Sequence, residues 1–205
     1  MAKKWCVLVI AGILVGGAAS AQDARTVLRA ASQAMGDASR LESIQYSGTG
    51  WMAAVGQSYS PDEDWPRFEV TAYTRTIDYD VPSSREELTR RQGNYPPRGG
   101  GGTPLQGDQR QVLLTSGRYA WNMNDDVAAP QPAAAEVRQI DIWMSPHGFL
   151  KAALEADDAT AVALKLEGRD MTIVSFTAMD KFRVNGTINE DNHATVSRTI
   201  RTSAA

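Results

Sequence analysis

The hydrophobic positions of the chain repeat with two different periods, which separate one early helix from a long series of strands. Residues 27–35 place apolar side chains at helical spacing, a pattern typical of an amphipathic helix. Asp23 is a favoured N-cap residue before this segment, and Gly36 is a favoured helix end after it. From Ile44 onward the pattern changes toward period two, which predicts strands at 44–55, 68–79, 111–123 and 162–200.

Short turn sequences join these predicted strands into antiparallel hairpins. Ser116-Gly117 divides residues 111–123 into two strands, and turn residues near 168, 180 and 191 divide the tail into a meander. Within 68–79, alternation puts Phe68 and Val70 on one face and Tyr73 and Ile77 on the other. Short strands with short connections favour an antiparallel sheet.

Two further regions are expected to be helical. Apolar residues at 137–144 and 149–154 follow helical spacing, and they are separated by Ser145-Pro146. This dipeptide is typical of an N-cap followed by proline at the first helical position, so it predicts a break between two short helices. Residues 83–87, with the sequence SSREE, are expected to form another short capped helix.

The order of these elements predicts the α+β class. We expect one curved antiparallel sheet, a half-barrel, with two or three short helices packed on one of its faces. Residues 94–107, rich in Gly and Pro, are expected to form a flexible loop, and the Ala- and Pro-rich residues 128–135 a second loop. The chain is long enough for a single domain, which we place at residues 22–205.

The first 21 residues have the pattern of a secretory signal peptide. Lys3 and Lys4 precede an apolar run from Trp5 to Gly17, and Ala19-Ser20-Ala21 fits a cleavage site after Ala21. The apolar run is shorter than the roughly 20 residues that a membrane span needs, so no stable span is expected after cleavage. The sequence therefore predicts export to the periplasm or the extracellular space.

Composition excludes several classes of function. The 205 residues carry 21 basic and 24 acidic side chains, a formal net charge of −3, which disfavours a nucleic-acid partner. The single Cys6 lies inside the predicted leader, so the exported chain would have no disulfide and no thiol catalysis. His147 and His193 have no metal-ligand spacing, and we predict no metal site in this chain.

Two other segments suggest chemistry only weakly. Asp62-Glu63-Asp64 could bind Ca²⁺, although its spacing lacks the periodicity of a calcium loop and favours a solvated turn. The run of four glycines lacks the Lys and Ser/Thr of a phosphate-binding loop, and we predict a flexible lid instead. The predicted lid residues are Gly99, Gly100, Gly101 and Gly102.

Aromatic residues on the predicted strands are the strongest candidates for a binding site. A sheet with apolar side chains on both faces either has two covering layers or presents a concave apolar trough to a ligand. Packing of these aromatic rings in the core remains an alternative. The candidate ligand-facing residues are Trp51, Tyr73, Tyr79, Tyr119 and Trp121.

Several segments resemble the N-terminal region of exported bacterial metallo-β-lactamase-fold hydrolases. They are GQSYSPDEDWPRF (56–68), YTRTIDYDVPSSREEL (73–88), PPRGGGGTPLQG (96–107), IWMSPHGFLKAAL (142–154) and MTIVSFTAMDKFRVNGTINEDN (171–192). The resemblance implies an accessory β-rich domain that precedes a zinc-dependent catalytic domain. The zinc motif H-x-H-x-D-H of that catalytic domain is not found in this sequence, so no residue here inherits a metal-ligand role. In outline the accessory domain is also similar to the lipoprotein-carrier half-barrel, an analogy of fold that transfers no function.

Three hypotheses follow for the function. The first is a non-catalytic exported module that binds an apolar or amphipathic small molecule or docks a catalytic domain. The second is the N-terminal part of a zinc hydrolase whose catalytic domain lies beyond this chain, in which case zinc belongs only to that domain. The third is a structural envelope protein. Under all three hypotheses this chain alone is expected to have no enzymatic activity.

Overall fold

The structure, a computed structural model, describes residues 16–58, 60–93 and 105–201. Backbone contacts divide the chain into two compact units. The central unit comprises residues 37–151, and the terminal unit comprises the residues up to 36 together with those from 152 onward. The boundaries of a single domain at 22–205 stay a prediction.

The central unit contains a six-stranded antiparallel sheet. Each strand pairs with the next along the chain, so the spatial order is the sequence order and the first and last strands form open edges. The strands are β1 (Ser43–Ala53), β2 (Arg67–Asp78), β3 (Ser83–Gln92), β4 (Gln109–Ser116), β5 (Tyr119–Asn124) and β6 (Val127–Pro130). Short turns suffice for a meander of this kind, but here residues 54–66 join β1 to β2 and residues 93–108 join β3 to β4.

Strand β2 contains a bulge that changes which side chains share a face. One residue separates Gly48 from Gly50 on β1, whereas two residues separate their partners Tyr73 and Val70 on β2. The extra residue shifts the alternation of β2 by one position. Phe68 and Val70 therefore lie on the same face as Tyr73, and the prediction that they lie on opposite faces is wrong.

Strand β3 occupies the segment for which a short helix was expected at residues 83–87, and that prediction is wrong. β3 is hydrogen-bonded on both sides, to β2 and to β4. Glu87 forms ion pairs with Arg85 on its own strand and with Arg110 on β4, at 2.7 Å each. Pairing with two neighbouring strands thus outweighs the local capping signal of the sequence.

Two short helices follow the sheet, as the sequence predicts. They are α2 (Ala135–Trp143) and α3 (Pro146–Glu155), and the boundary between the two units falls within α3. Ser145 is confirmed as the break, because its Oγ accepts a hydrogen bond of 3.1 Å from the backbone N–H of Gly148. Its Oγ also lies 2.8 Å from the hydroxyl oxygen of Tyr79.

Helix α2 packs on one face of the six-stranded sheet, which is called the helical face below. The guanidinium of Arg138 donates to the backbone oxygens of Leu114 and Trp121, and Gln139 donates to Thr115. These bonds hold α2 over β4 and β5. The core beneath the helix is formed by buried Ile77, Tyr79 and Ile142 with half-buried Leu41, Ile44 and Trp143 around them.

The terminal unit combines one helix with a four-stranded antiparallel sheet. The helix is α1 (Gly16–Ala34), and the strands are β7 (Thr160–Leu166), β8 (Arg169–Ala178), β9 (Phe182–Asn189) and β10 (Ala194–Arg201). The helix packs on β7, and the buried core includes Leu28, Val174, Phe176 and Val184. The predicted meander of the tail and the α+β class are confirmed. The strands form two sheets, however, where the sequence predicted one, and the segment that contains α2 and α3 separates the two groups of strands along the chain.

Two local predictions differ from the structure. Helix α1 begins at Gly16, so Asp23 lies within it and is not its N-cap. Residues 128–130, the start of the loop predicted at 128–135, belong instead to the edge strand β6, whose four residues pair with β5. None of the helices within the described ranges combines the length and apolar character needed to cross a bilayer.

Candidate functional site

The structure brings two of the five candidate aromatic residues together. Trp51 and Tyr73 both line a groove beside β1. Tyr79 is 5% exposed and belongs to the core beneath α2. Tyr119, at the β4–β5 turn, and Trp121, which pairs with Leu114 of β4, line no part of this groove.

The groove has a volume of about 340 Å³ and runs along the edge strand β1. The strand contributes seven consecutive residues, 46–52, and the rest of the lining comes from the two neighbouring strands. These further lining residues are Val70, Tyr73, Glu86 and Leu88.

The groove exists because two side chains are missing from the helical face of β1. Alternation along the strand places Tyr46, Gly48, Gly50 and Met52 on this face, in register with Ile44 at the core. A Cβ atom at Gly48 or Gly50 would meet no other atom within 4 Å. The two glycines therefore leave a gap between the side chains of Tyr46 and Met52. Neither glycine has a positive φ, so the backbone does not require glycine here.

Two tyrosines form one end of the groove. The rings of Tyr46 and Tyr73 lie 6.1 Å apart between centroids, at an interplanar angle of 33°. The hydroxyl of Tyr73 donates a hydrogen bond of 3.1 Å to Oε2 of Glu86. Burial, together with the nearby charge of Glu86, raises the pKa of Tyr73 well above its ordinary value. This hydroxyl therefore stays protonated and acts as a hydrogen-bond donor at neutral pH.

A compensated charge cluster lies at the same end. Nε of Arg75 lies 3.7 Å from Oε2 of Glu86, and the side chains of these residues are 13% and 24% exposed. Burial raises the pKa of Asp141 on α2, while the charge of Arg75 acts in the opposite direction. Glu86 therefore has both a cation and a hydroxyl donor beside it, and its charge is already balanced by the protein.

A further charged residue, Arg90, does not line the groove but contacts Met52, which does. It pairs with Val70 in the sheet, in the same row of the helical face as Gly50. Its Nη1 lies 3.7 Å from Sδ of Met52, and its guanidinium carbon lies 5.1 Å from the ring centroid of Phe68. Two weakly polar groups, a thioether and an aromatic ring, therefore contact this cation.

Trp51 occupies the outer rim of the groove. In the register of the sheet it pairs with Glu69, on the face opposite Tyr73. Its ring is 63% exposed, and the guanidinium carbon of Arg67 lies 4.5 Å from the ring centroid. The indole thus extends the apolar lining around the edge of the sheet and away from its floor.

Sequence reasoning missed most of the groove. Tyr46, Gly48, Gly50, Glu86 and Leu88 were not among the candidate site residues, although all of them line it. The signal in the sequence was the pair of glycines in an otherwise alternating strand, since an interior strand glycine often marks a close approach by a ligand or another backbone.

A second depression lies within the terminal unit. It has a volume of about 500 Å³, and its lining includes Val27, Ala163, Met171 and Ile188. Lys165 and Asp170 on its rim form an exposed ion pair of 3.0 Å. None of the described residues that line this depression is aromatic, so it does not correspond to the predicted trough.

The remaining sequence candidates that the structure describes do not line the groove. Within the described residues, no three His, Cys, Asp or Glu side chains are grouped so that they could hold a metal ion. His147 lies in the first turn of α3, and His193 lies exposed before β10. Asp64 pairs with Arg67 at 3.8 Å. The predicted lid, Gly99 to Gly102, lies outside the described residues.

The comparisons with known proteins identify no relative of this chain. No protein-family model, no curated protein and no solved structure matches it. The resemblance to the accessory domain of metallo-β-lactamase-fold hydrolases therefore stays a prediction.

Proposed function

We propose that this chain is a non-catalytic module that binds an amphipathic small molecule in the groove beside β1. The observation that carries the proposal is the gap at Gly48 and Gly50, which lies between aromatic and sulfur-containing side chains. Open space bounded by apolar walls and a few polar groups is typical of small-molecule sites. The floor formed by Val70, Tyr73 and Leu88 supplies the apolar contact.

The polar groups at the groove support binding more than catalysis. A general acid or base needs a pKa near the working pH. The raised pKa of Tyr73 keeps its hydroxyl protonated, and Glu86 is held by Tyr73 and Arg75. Such groups can orient a ligand by hydrogen bonding, and we expect this chain alone to catalyse no reaction.

The test is a single substitution that fills the groove. Gly48→Val adds a branched side chain in the open space, and Gln45→Val is the matched control on the same strand and the opposite face. Binding of the neutral dye Nile red is measured by fluorescence. We expect Gly48→Val to weaken binding about ten-fold or more, a loss of about 1.4 kcal/mol. Gln45→Val should bind as the unmodified chain does, and equal affinity of all three proteins would overturn the proposal.

A second candidate function is docking of a catalytic domain, as the resemblance implies. Large apolar side chains are exposed at the end of β1 and in the connection to β2. Trp51, Val55 and Trp65 are 63%, 69% and 47% exposed. Exposed apolar side chains grouped in this way favour a protein partner. An H-x-H-x-D-H segment in the coding sequence downstream of Ala205 would support this candidate, and its absence would count against it.

We also propose that the chain is exported and cleaved after Ala21. The Lys3-Lys4 pair, the apolar run and the Ala19-Ser20-Ala21 site support this proposal. Mass spectrometry of the protein recovered from the periplasm or the medium should show a chain that begins at Gln22. Retention of residues 1–21 in the mature protein would contradict it.

A further inference from the structure

We infer that the ligand of the groove is an amphipathic anion whose charged group binds Arg90. This inference rests on the proposed function, because it names the ligand class of the same groove. The inference follows from the charged residues near the two ends of the groove. The charge of Glu86 is balanced by Arg75, whereas Arg90 has no acidic partner among the described residues.

The guanidinium of Arg90 lacks a strong acceptor. Within the described residues, Nε of Arg90 is buried and has no hydrogen-bond partner, and the same is true of Nε of Arg75. Arg75 nevertheless has an ionic partner, Glu86, at 3.7 Å, whereas Arg90 has none in the described ranges. Nη1 of Arg90 contacts the thioether sulfur of Met52, which is a weak acceptor. The ring of Phe68 beside it attracts the cation but offers no lone pair. A buried N–H group without an acceptor raises the free energy of the unliganded protein. A ligand oxygen that accepts from Arg90 would remove this cost, and it would not have to replace an existing hydrogen bond.

No carboxylate among the described residues forms an ion pair with Arg90. Neighbouring arginines on the sheet have their own acidic partners: Arg91 pairs with Glu69 at 2.8 Å and Arg110 with Glu87 at 2.7 Å. No ion pair of Arg90 is present in the described ranges. The sequence of residues 94–104, NYPPRGGGGTP, which follows β3, contains no Asp or Glu. The positive charge of Arg90 is therefore available to an anion.

The opposite end of the groove does not favour a cation. Glu86 accepts the hydroxyl of Tyr73 and lies 3.7 Å from Arg75. A cationic ligand there would compete with a protein cation that is already in place, whereas an anion at Arg90 displaces only the contact with a sulfur. Charge complementarity therefore selects the sign of the ligand.

The geometry also predicts the direction in which the ligand lies along the groove. Arg90 lies in the row of Gly50, and the groove continues past Gly48 to Tyr46. Four residues of strand span about 13 Å. The apolar tail would follow this length over Tyr73 and Leu88, with the carboxylate or phosphate group at Arg90.

Three surfactants with the same dodecyl tail test this inference by titration calorimetry of the full chain below their aggregation concentrations. They are dodecanoate, dodecyl phosphate and dodecyltrimethylammonium. We expect both anions to bind more tightly than the cation. Arg90→Gln should weaken binding of dodecanoate about ten- to a hundred-fold and leave the cation unaffected, while Arg90→Lys should restore part of the affinity. Stronger binding of dodecanoate or of dodecyl phosphate distinguishes a carboxylate from a phosphate head group.

The matched control is Arg91→Gln, which removes an adjacent arginine from the opposite face. Its exposed ion pair contributes little to stability, and dodecanoate binding should not change. Equal affinity for the anions and the cation would overturn the inference. So would an equal loss of affinity for dodecanoate in Arg90→Gln and Arg91→Gln. Neither result would contradict the proposal that the groove is a binding site. Failure of Gly48→Val to weaken any of the three surfactants would instead overturn the proposed function.

Discussion

Replacing Gly48 or Gly50 with valine should stabilise the central unit. A glycine inside a strand costs roughly 0.5–1 kcal/mol relative to alanine, and the measured β-propensity scale spans about 1 kcal/mol. Because a Cβ at either position meets no atom within 4 Å, the first carbon of the new side chain has no clash to oppose this gain. We therefore expect each substitution to raise the free energy of unfolding by about 1 kcal/mol. With a urea m-value of about 2 kcal/mol/M, the midpoint rises by about 0.5 M.

Tryptophan fluorescence reports on unfolding of the central unit, where both substitutions lie. Four of the five tryptophans lie in the central unit, at positions 51, 65, 121 and 143. Gly93→Ala is the control of opposite sign, because its Cβ would lie 2.5 Å from the backbone oxygen of Arg67 and should destabilise the unit. A lower midpoint for Gly48→Val would mean that the space beside β1 is occupied or that the strand needs glycine. Either result would refute the geometry on which the groove depends.

Two further substitutions test the contacts that hold each unit. Ser145→Ala removes the cap of α3 and the hydroxyl partner of Tyr79. It should lower the free energy of unfolding by about 2–3 kcal/mol, measured by urea denaturation; an unchanged midpoint would contradict this. Although burial acts to raise the pKa of Asp158, hydrogen bonds from Thr177 and the charge of Arg183 lower it overall. A lowered pKa stabilises the folded state above the ordinary pKa of the carboxyl, and this contribution disappears as pH falls through the folded value. Asp158→Asn should therefore be less stable at pH 7 by about 1 kcal/mol or less, because the pair is half exposed. The difference, followed by circular dichroism, should vanish in acid, and a constant difference would contradict this origin.

The strands and turns of this chain were predictable because their signals are local. Alternation and turn residues at 116–117 and near 168 and 180 specify hairpins without any knowledge of distant contacts. Ser145-Pro146 likewise carries its own capping chemistry, and the structure places the break between α2 and α3 there. A cap or a two-residue turn is satisfied within a few residues, so the sequence suffices to locate it.

The errors occurred where tertiary contacts outweigh local preference. Residues 83–87 have the composition of a capped helix, yet in β3 their backbone is paired on both sides and Glu87 binds arginines on two strands. The bulge in β2 has no distinctive residue: Thr71 is an ordinary strand former, and its hydroxyl donates only a long bond of 3.3 Å to the oxygen of Thr89. The bulge reverses which face of the sheet each later side chain of β2 occupies, and this can be seen only when the register with β1 and β3 is known.

The candidate site was predicted only in part for the same reason. Tyr73 and Tyr79 are six residues apart in sequence, but the first faces the groove while the second is buried beneath α2. Aromatic content identified both and could not separate them. The glycines were missed because they contribute space and no chemistry of their own. The open space at the two glycines can be recognised only when the positions of the side chains on both sides, Tyr46 and Met52, are known.

The two candidate functions of β1 use different sides of one edge strand and can therefore be separated. The groove depends on the gap at Gly48 and Gly50 on the helical face and has Trp51 only at its rim. Docking would instead use the exposed ring of Trp51, which pairs with Glu69 on the opposite face, and the connection beyond it. A valine at position 48 fills the groove and adds no side chain to the proposed docking surface. Conversely, Trp65→Ala removes part of the exposed cluster and leaves the groove lining intact. An unpaired edge strand attracts other strands unless something covers or interrupts it. Since both candidate occupants contact β1, either one would also protect this edge.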